Sequence, residues 1–304
     1  MTRNSLYRIR GFKMGLSAYI QVIINGILTG GLYGLMSCAW SFQCGALRYA
    51  NFAYGACMMV SAYWAFYMVR MWNIPIFLMI ILVLAFNVAL AYVMRNAMLK
   101  KSDFNTMIVC TMGVEMIMNN LVTLFASATP RDFALLETRI FLTKDISIGS
   151  IQLVCFGLSL VLLFAFQAFL QKTWMGKAIR AVVQNNEVAT TMGIRSERIM
   201  DVAFEVSFLL IGIAAMLLAL LNQISPTFGT PFQSKAFMVC VLAGIGNLGG
   251  TFFSGIIVGV VTALIGFIVG TEYLNPITYG LFVLVLLLKP NGLFTKASSV
   301  ARKL

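Results

Sequence analysis

Two carboxylates, Glu115 and Glu205, stand inside otherwise apolar runs, FNTMIVCTMGVEMIMNNLVTLFA and DVAFEVSFLLIG. An acid at the centre of a bilayer costs about 2.5 to 3.5 kcal/mol on insertion scales, so each must face the protein interior with a partner. The chemistry open to them is pairing with the ammonium group of a solute, carriage of a proton or sodium ion, or a structural hydrogen bond to Asn119, Asn120 or a hydroxyl of a neighbouring helix. A second group gathers where Gly45, Arg48, Asn51, Tyr54 and Gly55 interrupt the apolar stretch GALRYANFAYGACMMVSAYW. A broken helix there frees backbone groups that, with Asn51 and Tyr54, could hydrogen-bond the two ends of a zwitterion. Equally, Asn51 could simply cap the break. Bond-making chemistry has no residues to work with: the chain contains no histidine, no nucleophile elbow and no G-x-x-x-x-G-K-[ST] phosphate loop. The six cysteines show no C-x-x-C spacing and read as small buried hydrophobes, so no metal site and no cofactor are expected.

The elements that position these residues follow from composition. Of the 304 residues 60% are apolar and 11% charged, against about 25% charged in an ordinary globular domain. The apolar residues fall in runs near twenty long, enough to cross about 30 Å of hydrocarbon as helix. Candidate spans lie near 16–38, 52–69, 74–94, 104–126, 151–169, 202–222, 236–252, 254–271 and 275–288. Each must be helical, because lipid offers the backbone no other partners. The chain is therefore expected to be an all-α, polytopic transmembrane bundle forming one domain over residues 1–304. The basic start MTRNSLYRIRGFK leads into a retained first span rather than a cleaved signal.

Charge orients the bundle. The net charge of +12 sits in short loops and tails, which marks cytoplasmic loops rather than a nucleic-acid surface. Residues 172–198 hold Lys172, Lys177, Arg180, Arg195 and Arg198 against Glu187 and Glu197, and the tail from Lys289 to Lys303 is also basic. Both belong in the cytoplasm, and an even number of spans separates them. The charge-balanced connection 127–150 then falls outside and the loop of Arg95, Lys100 and Lys101 inside. A cytoplasmic start with Arg3, Arg8, Arg10 and Lys13 requires an even number of crossings before Arg95, whereas three spans precede it. Either one of the three is re-entrant, with 45–64 the candidate, or the chain begins outside. About eight full crossings with one re-entrant or broken helix is the expectation. Glycine-punctuated segments near 45–55 and 244–255 hint at two related halves.

One polar stretch, GKAIRAVVQNNEVATTMGIRSERI at 176–199, resembles soluble protein. Asn185 or Asn186 can cap a helix of one and a half to two turns that ends at Gly193, a natural left-handed turn. A helix that short needs something to pack against. Val188 and Met192, four apart, with Ile194 beyond, form a small apolar knob. It either folds back on its own protein or docks another subunit.

The spacing Glu187-x-Ala189-x-x-x-Gly193 resembles the E-A-A-x-x-x-G loop of ABC-importer permeases, with Val188 in place of the middle alanine. Further stretches resemble the branched-chain amino-acid permeases of LivH type. Asn51-Phe52-Ala53-Tyr54-Gly55 is similar to N-F-A-H-G, and MGKAIRAVVQNNEVATTMGI to a signature that opens M-G-R-A-x-R-A and closes A-x-x-x-G-I. Lys235-Ala236-Phe237 with VLAGIGNLGGTFFSGIIVG resembles the K-A-F and glycine-rich run, and KPNGLF the closing R-P-x-G-L-F. These stand in order across residues 45–294. Departures are Tyr54 in place of histidine and the acids Glu115 and Glu205 at intramembrane positions.

The resemblance implies a non-catalytic permease subunit of an ATP-driven importer in the bacterial inner membrane, passing branched-chain amino acids or a related small polar solute. Its implied partners are a second, LivM-like permease, two ATP-binding cassette subunits, an extracytoplasmic solute-binding protein and membrane lipid. Asn51, Tyr54, Glu115 and Asn119 are the candidate pathway residues. Glu187, Ala189, Met192 and Gly193 are the candidates for ATPase coupling, within a cytoplasmic loop at 172–199. The rival is an ion-coupled secondary transporter using Glu115 and Glu205, which leaves that loop without a purpose. A membrane-embedded enzyme or a scaffold subunit would be separated from both by activity and transport assays.

Overall fold

The computed structural model describes residues 16–47, 49, 51–96, 103–126, 129–133, 139–143, 146–290 and 292–294. Arg48 and the N-terminal basic residues of the sequence reading lie outside these. Helix α1 (Leu16–Ser41) passes into a π-helical turn (Phe42–Ala46) and then into the break before α2 (Tyr54–Arg70). Helices α3 (Ile76–Met94) and α4 (Phe104–Ala126) lead to a hairpin of β1 (Arg139–Thr143) and β2 (Ile146–Gly149), antiparallel, with Ile140 opposite Ile148. Helix α5 (Ser150–Lys172) is followed by the short polar helices α6 (Trp174–Gln184) and α7 (Asn186–Thr191). The chain ends with α8 (Ser196–Ala219), α9 (Gly229–Ala243), α10 (Leu248–Ile268) and α11 (Leu274–Leu288).

Among the described residues the regular structure is helical apart from that hairpin, and nine helices fall on the nine apolar runs. Among the described residues six helical stretches are long and apolar enough to cross a membrane. The remaining three, α2, α9 and α11, are 15 to 17 residues long. Burial sorts the helices: the apolar window of α8 is 72% buried and that of α4 only 6%, so α8 is central and α4 peripheral.

Glycines fix the central pair. A Cβ on Gly26 would sit 2.7 Å from Val260 Cα and one on Gly30 2.7 Å from Ile256 Cα, while Gly255 and Gly259 meet the backbone of Gly30 and Gly34. Small residues allow this approach, on which helix association in lipid depends. Because the partner number falls as the α1 number rises, α10 runs antiparallel to α1. The two glycine-punctuated segments meet at the end of this pair, Gly45 against Gly246.

This packing decides the parity that charge left open. At its start α1 is held to the hairpin: the Gln21 amide donates to the Ser147 carbonyl (2.5 Å) and accepts from the Ser147 N–H (2.9 Å). At its end Phe42 and Gly45 share a cavity with Gln171, Ile179 and Arg180 of the α5–α6 junction. Helix α1 therefore runs from the hairpin face to the face carrying α6 and α7. Of the re-entrant or broken helix expected there, the structure has the broken form: the described residues between Ala46 and Tyr54 interrupt the helix, and α2 continues to the hairpin side, where Arg70 donates to the Phe133 carbonyl (2.5 Å).

Candidate functional site

The break between α1 and α2 is irregular backbone buried in protein, the setting in which such backbone survives at membrane depth. Leu47, Tyr49, Asn51 and Ala53 are all buried. Gln43 of the π-turn donates to Ser207 of α8 (2.8 Å), and the Tyr49 N–H returns to the Gln43 carbonyl (2.9 Å). The Asn51 side-chain Oδ1 accepts from the Ala53 N–H (3.1 Å), and its Nδ2 is buried without a partner among the described residues.

Around the start of α2, two other helices, α4 and α9, supply polar groups. The Phe52 N–H donates to Thr111 of α4 (3.1 Å), and the Gly55 N–H to Gln233 of α9 (2.6 Å). The Glu115 carboxylate lies beside the Gln233 side chain. Gly55 and Gly229, near the starts of α2 and α9, touch backbone to backbone. Thr111, Glu115 and Gln233 thus stand around the start of α2, which follows Asn51 in the chain. Asn119 lies one turn along α4 from Glu115 and is half-buried. Tyr54 points elsewhere: it is fully buried, donates to the Met36 carbonyl (2.5 Å) and stacks edge-on against Trp40. It pins α2 to α1.

Glu115 lies beside Gln233 of α9, and the Asn120 amide returns to the Met116 carbonyl (2.7 Å). Glu205 belongs to a different neighbourhood, on α8 beside Asp201 and Arg95. The two acids share no site. Sequence reasoning missed Gln233 and Lys235 on α9 and the trio Arg95, Asp201 and Tyr49. An intramembrane lysine at 235 was the signal available, since such a residue is functional by default.

The polar segment at 172–199 is built as two caps and a turn. Thr173 accepts from the Gly176 N–H (3.0 Å) to start α6, which buries Ala178, Ile179 and Val182 and exposes Lys177 and Arg180. The Asn185 side chain accepts from the Val188 N–H (3.1 Å) to start α7. Gly193 ends it at φ +84°, and the Ile194 N–H closes the turn on the Ala189 carbonyl (3.1 Å). Ala189 is buried in the same core cluster as Val182 and Ile199. Glu187 is exposed, Val188 is 56% exposed and Met192 79%. Ile194 packs inward on the core instead of joining the knob. The result is a capped element, seated on α8 through Ala189, that displays two apolar side chains among basic ones.

A helical bundle with buried irregular backbone at membrane depth and a capped polar element on one face defines a multi-pass membrane permease subunit. Comparison with known families agrees: the profile of the branched-chain amino acid transport system permease component matches residues 22–288, and the chain belongs to that family. It is 26% identical over 293 residues to the high-affinity branched-chain amino acid transport system permease protein BraD of Pseudomonas aeruginosa, covering 90% of this chain and 95% of the relative. To LivH of Escherichia coli, a permease protein of the same description, it is 27% identical over 296 residues, covering 90% and 95%. Among solved structures PsaBC from Streptococcus pneumoniae in complex with Fab is similar at a TM-score of 0.47 and 12% identity, covering 91% of this chain and 93% of that one.

Proposed function

We propose that the chain is the permease subunit of an ATP-driven importer and forms the translocation pathway for branched-chain amino acids (leucine, isoleucine, valine) or a related small polar solute. The observation that carries this reading is the exposed pair Val188 and Met192 on a doubly capped element whose other face is buried through Ala189. A six-residue helix has no stability of its own, so caps and packing that hold it in place serve a display. Full burial of each side chain in a groove contributes about 1.5 to 3 kcal/mol. The occupant is an ATP-binding cassette subunit, one of two, with Glu187 and Gly193 setting the shape of the docked turn.

The full assembly adds a second, LivM-like permease and an extracytoplasmic solute-binding protein. Residues 1–304 act as one permease domain, and ATP is hydrolysed by the partners. Movement of α7 reaches α8 through Ala189 and passes from Asp201 through Arg95 to the break at Tyr49. Asn51, Glu115 and Asn119, with Gln233, are the groups that meet the solute, and Tyr54 supports them.

The test is purification of the chain from its native membrane with mass spectrometry of what remains bound. ATP-binding cassettes and a second permease in the eluate support the reading. A chain that purifies alone and drives uptake with an ion gradient would replace it.

A further inference from the structure

Helix α1 carries a polar stripe at a spacing of four: Gln21, Asn25, Thr29 and Tyr33. Residues four apart lie on one face, so these stack along a single side of the helix, from its outer end to near its middle. They line a cavity of about 350 Å³ that opens at the hairpin face, with Gln152 of α5 and Asn222 beyond α8 on the facing walls. That volume falls in the range of small-molecule sites. The side chains lining it are neutral, and the deepest residue of the stripe is Tyr33.

The Tyr33 hydroxyl accepts a hydrogen bond from Lys235 Nζ at 3.1 Å. Lys235 lies near the middle of α9 and is half-buried, and among the described residues it is the one Lys or Arg placed within a membrane helix away from its ends. Its ammonium stands 5.0 Å from the Tyr33 ring centroid and 5.7 Å from that of Phe232, and no carboxylate pairs with it among the described residues. Aromatic faces stabilise a cation without neutralising it. An intramembrane cation held this way keeps its attraction for an anion, and the neutral walls above it do not compete.

We propose that the α1 stripe is an aqueous vestibule from the extracytoplasmic face and that Lys235, with the Tyr33 hydroxyl, is a carboxylate site at its floor. The ligand is the carboxylate end of a zwitterionic amino acid in transit. This identification of the ligand rests on the importer reading above; the electrostatics of the vestibule do not. Neutral polar walls hydrogen-bond a passing solute without holding it, and the single cation fixes which end leads.

The experiment is thiol labelling from the outer side in a background without the native cysteines. Cysteines are placed at Thr29, one turn above Tyr33, and at Gln152 on the rim. The probes are anionic sulfonatoethyl and cationic trimethylammonioethyl methanethiosulfonates. A unit charge about 10 Å away across a partly aqueous gap shifts such rates by roughly tenfold. The anion-to-cation rate ratio is expected to be about ten times higher in Thr29→Cys than in Gln152→Cys. Lys235→Gln should erase the difference and Lys235→Arg keep it; Lys235→Met serves if the glutamine variant does not accumulate. L-leucine should slow labelling of Thr29→Cys, and L-leucinol, which lacks the carboxylate, should not.

A ratio equal at both depths, or unchanged by loss of the cation, would overturn the vestibule. Equal protection by the two solutes, or none, would overturn the carboxylate assignment. Charge selectivity in a chain that shows no ATP-driven uptake would support the vestibule and count against the importer reading alone.

Discussion

Arg95 at the end of α3 is held by Asp201 in the second turn of α8, with the Arg95 side chain 5% exposed and that of Asp201 30%. The same guanidinium donates to the Tyr49 hydroxyl at 2.8 Å and stacks on that ring, so one buried charge joins α3, α8 and the break before α2. Removing one member of such a pair leaves an uncompensated charge, at a cost of about 3 to 5 kcal/mol, whereas replacing both with apolar groups is often near neutral. Asp201→Ala is expected to lower the thermal unfolding midpoint in detergent clearly. The double variant Arg95→Met, Asp201→Leu should recover most of that loss, and a double variant as unstable as the single one would contradict the pairing.

Much of this fold was written in hydropathy, because lipid forces each long apolar run to be a helix. The shifts are informative. Residues 236–252 read as one span, yet α9 starts at Gly229 and ends at Gly244, where φ is +90°. Its first turns carry Gln233, Ser234 and Lys235, polar residues that hid a helix whose groups face other polar groups. Helix α8 begins six residues before its apolar run because Ser196, Glu197 and Arg198 extend it toward α7. The caps of α7 were legible because Asn185 and Gly193 act through their own backbones.

The direction of α1 was not legible. Basic residues near the start argued for a cytoplasmic entry, but the contact of Gly26 and Gly30 with α10 fixes the direction, and no local signal reports a tertiary approach. The same limit applies to the site. Tyr54 read as a pathway residue from its neighbours, while its hydroxyl is committed to the Met36 carbonyl.

Helix approach gives a sharp mutational contrast. A Cβ at Gly30 would lie 2.7 Å from Ile256 Cα, a backbone atom with no room to yield, whereas at Gly113 nothing lies within 4 Å. Overpacking of this kind costs about 1 to 3 kcal/mol. Gly30→Ala should reduce the yield of monodisperse protein in size-exclusion chromatography, and Gly113→Ala should match the parent. Equal yields for the two would show that the α1–α10 contact is looser than the structure has it.

The apolar knob separates docking from folding. Met192 is 79% exposed, so Met192→Ser should change stability by no more than about 0.5 kcal/mol. Under the proposed coupling role, cassette association measured by co-purification should fall about tenfold. Gly193→Asp adds strain at φ +84°, where space itself is open, and places a charge on the docked turn. Normal association in both variants would remove the coupling role from this loop.

Glu115 and Glu205 distinguish pathway from framework. Glu115→Gln keeps a polar side chain of the same size beside Gln233, so the packing of α4 should survive with an unchanged melting temperature. If the carboxylate meets the ammonium of a solute, uptake falls at least tenfold while cassette association stays intact. Glu205 sits instead in the field of Arg95 and Asp201 on α8, away from the polar group around Gly55, and Glu205→Gln should leave uptake within about twofold of the parent. Uptake measured in proteoliposomes of the assembled complex decides between them. Loss of transport in the Glu205 variant with full activity in the Glu115 variant would move the solute contact from the α4–α9 side of the bundle to α8.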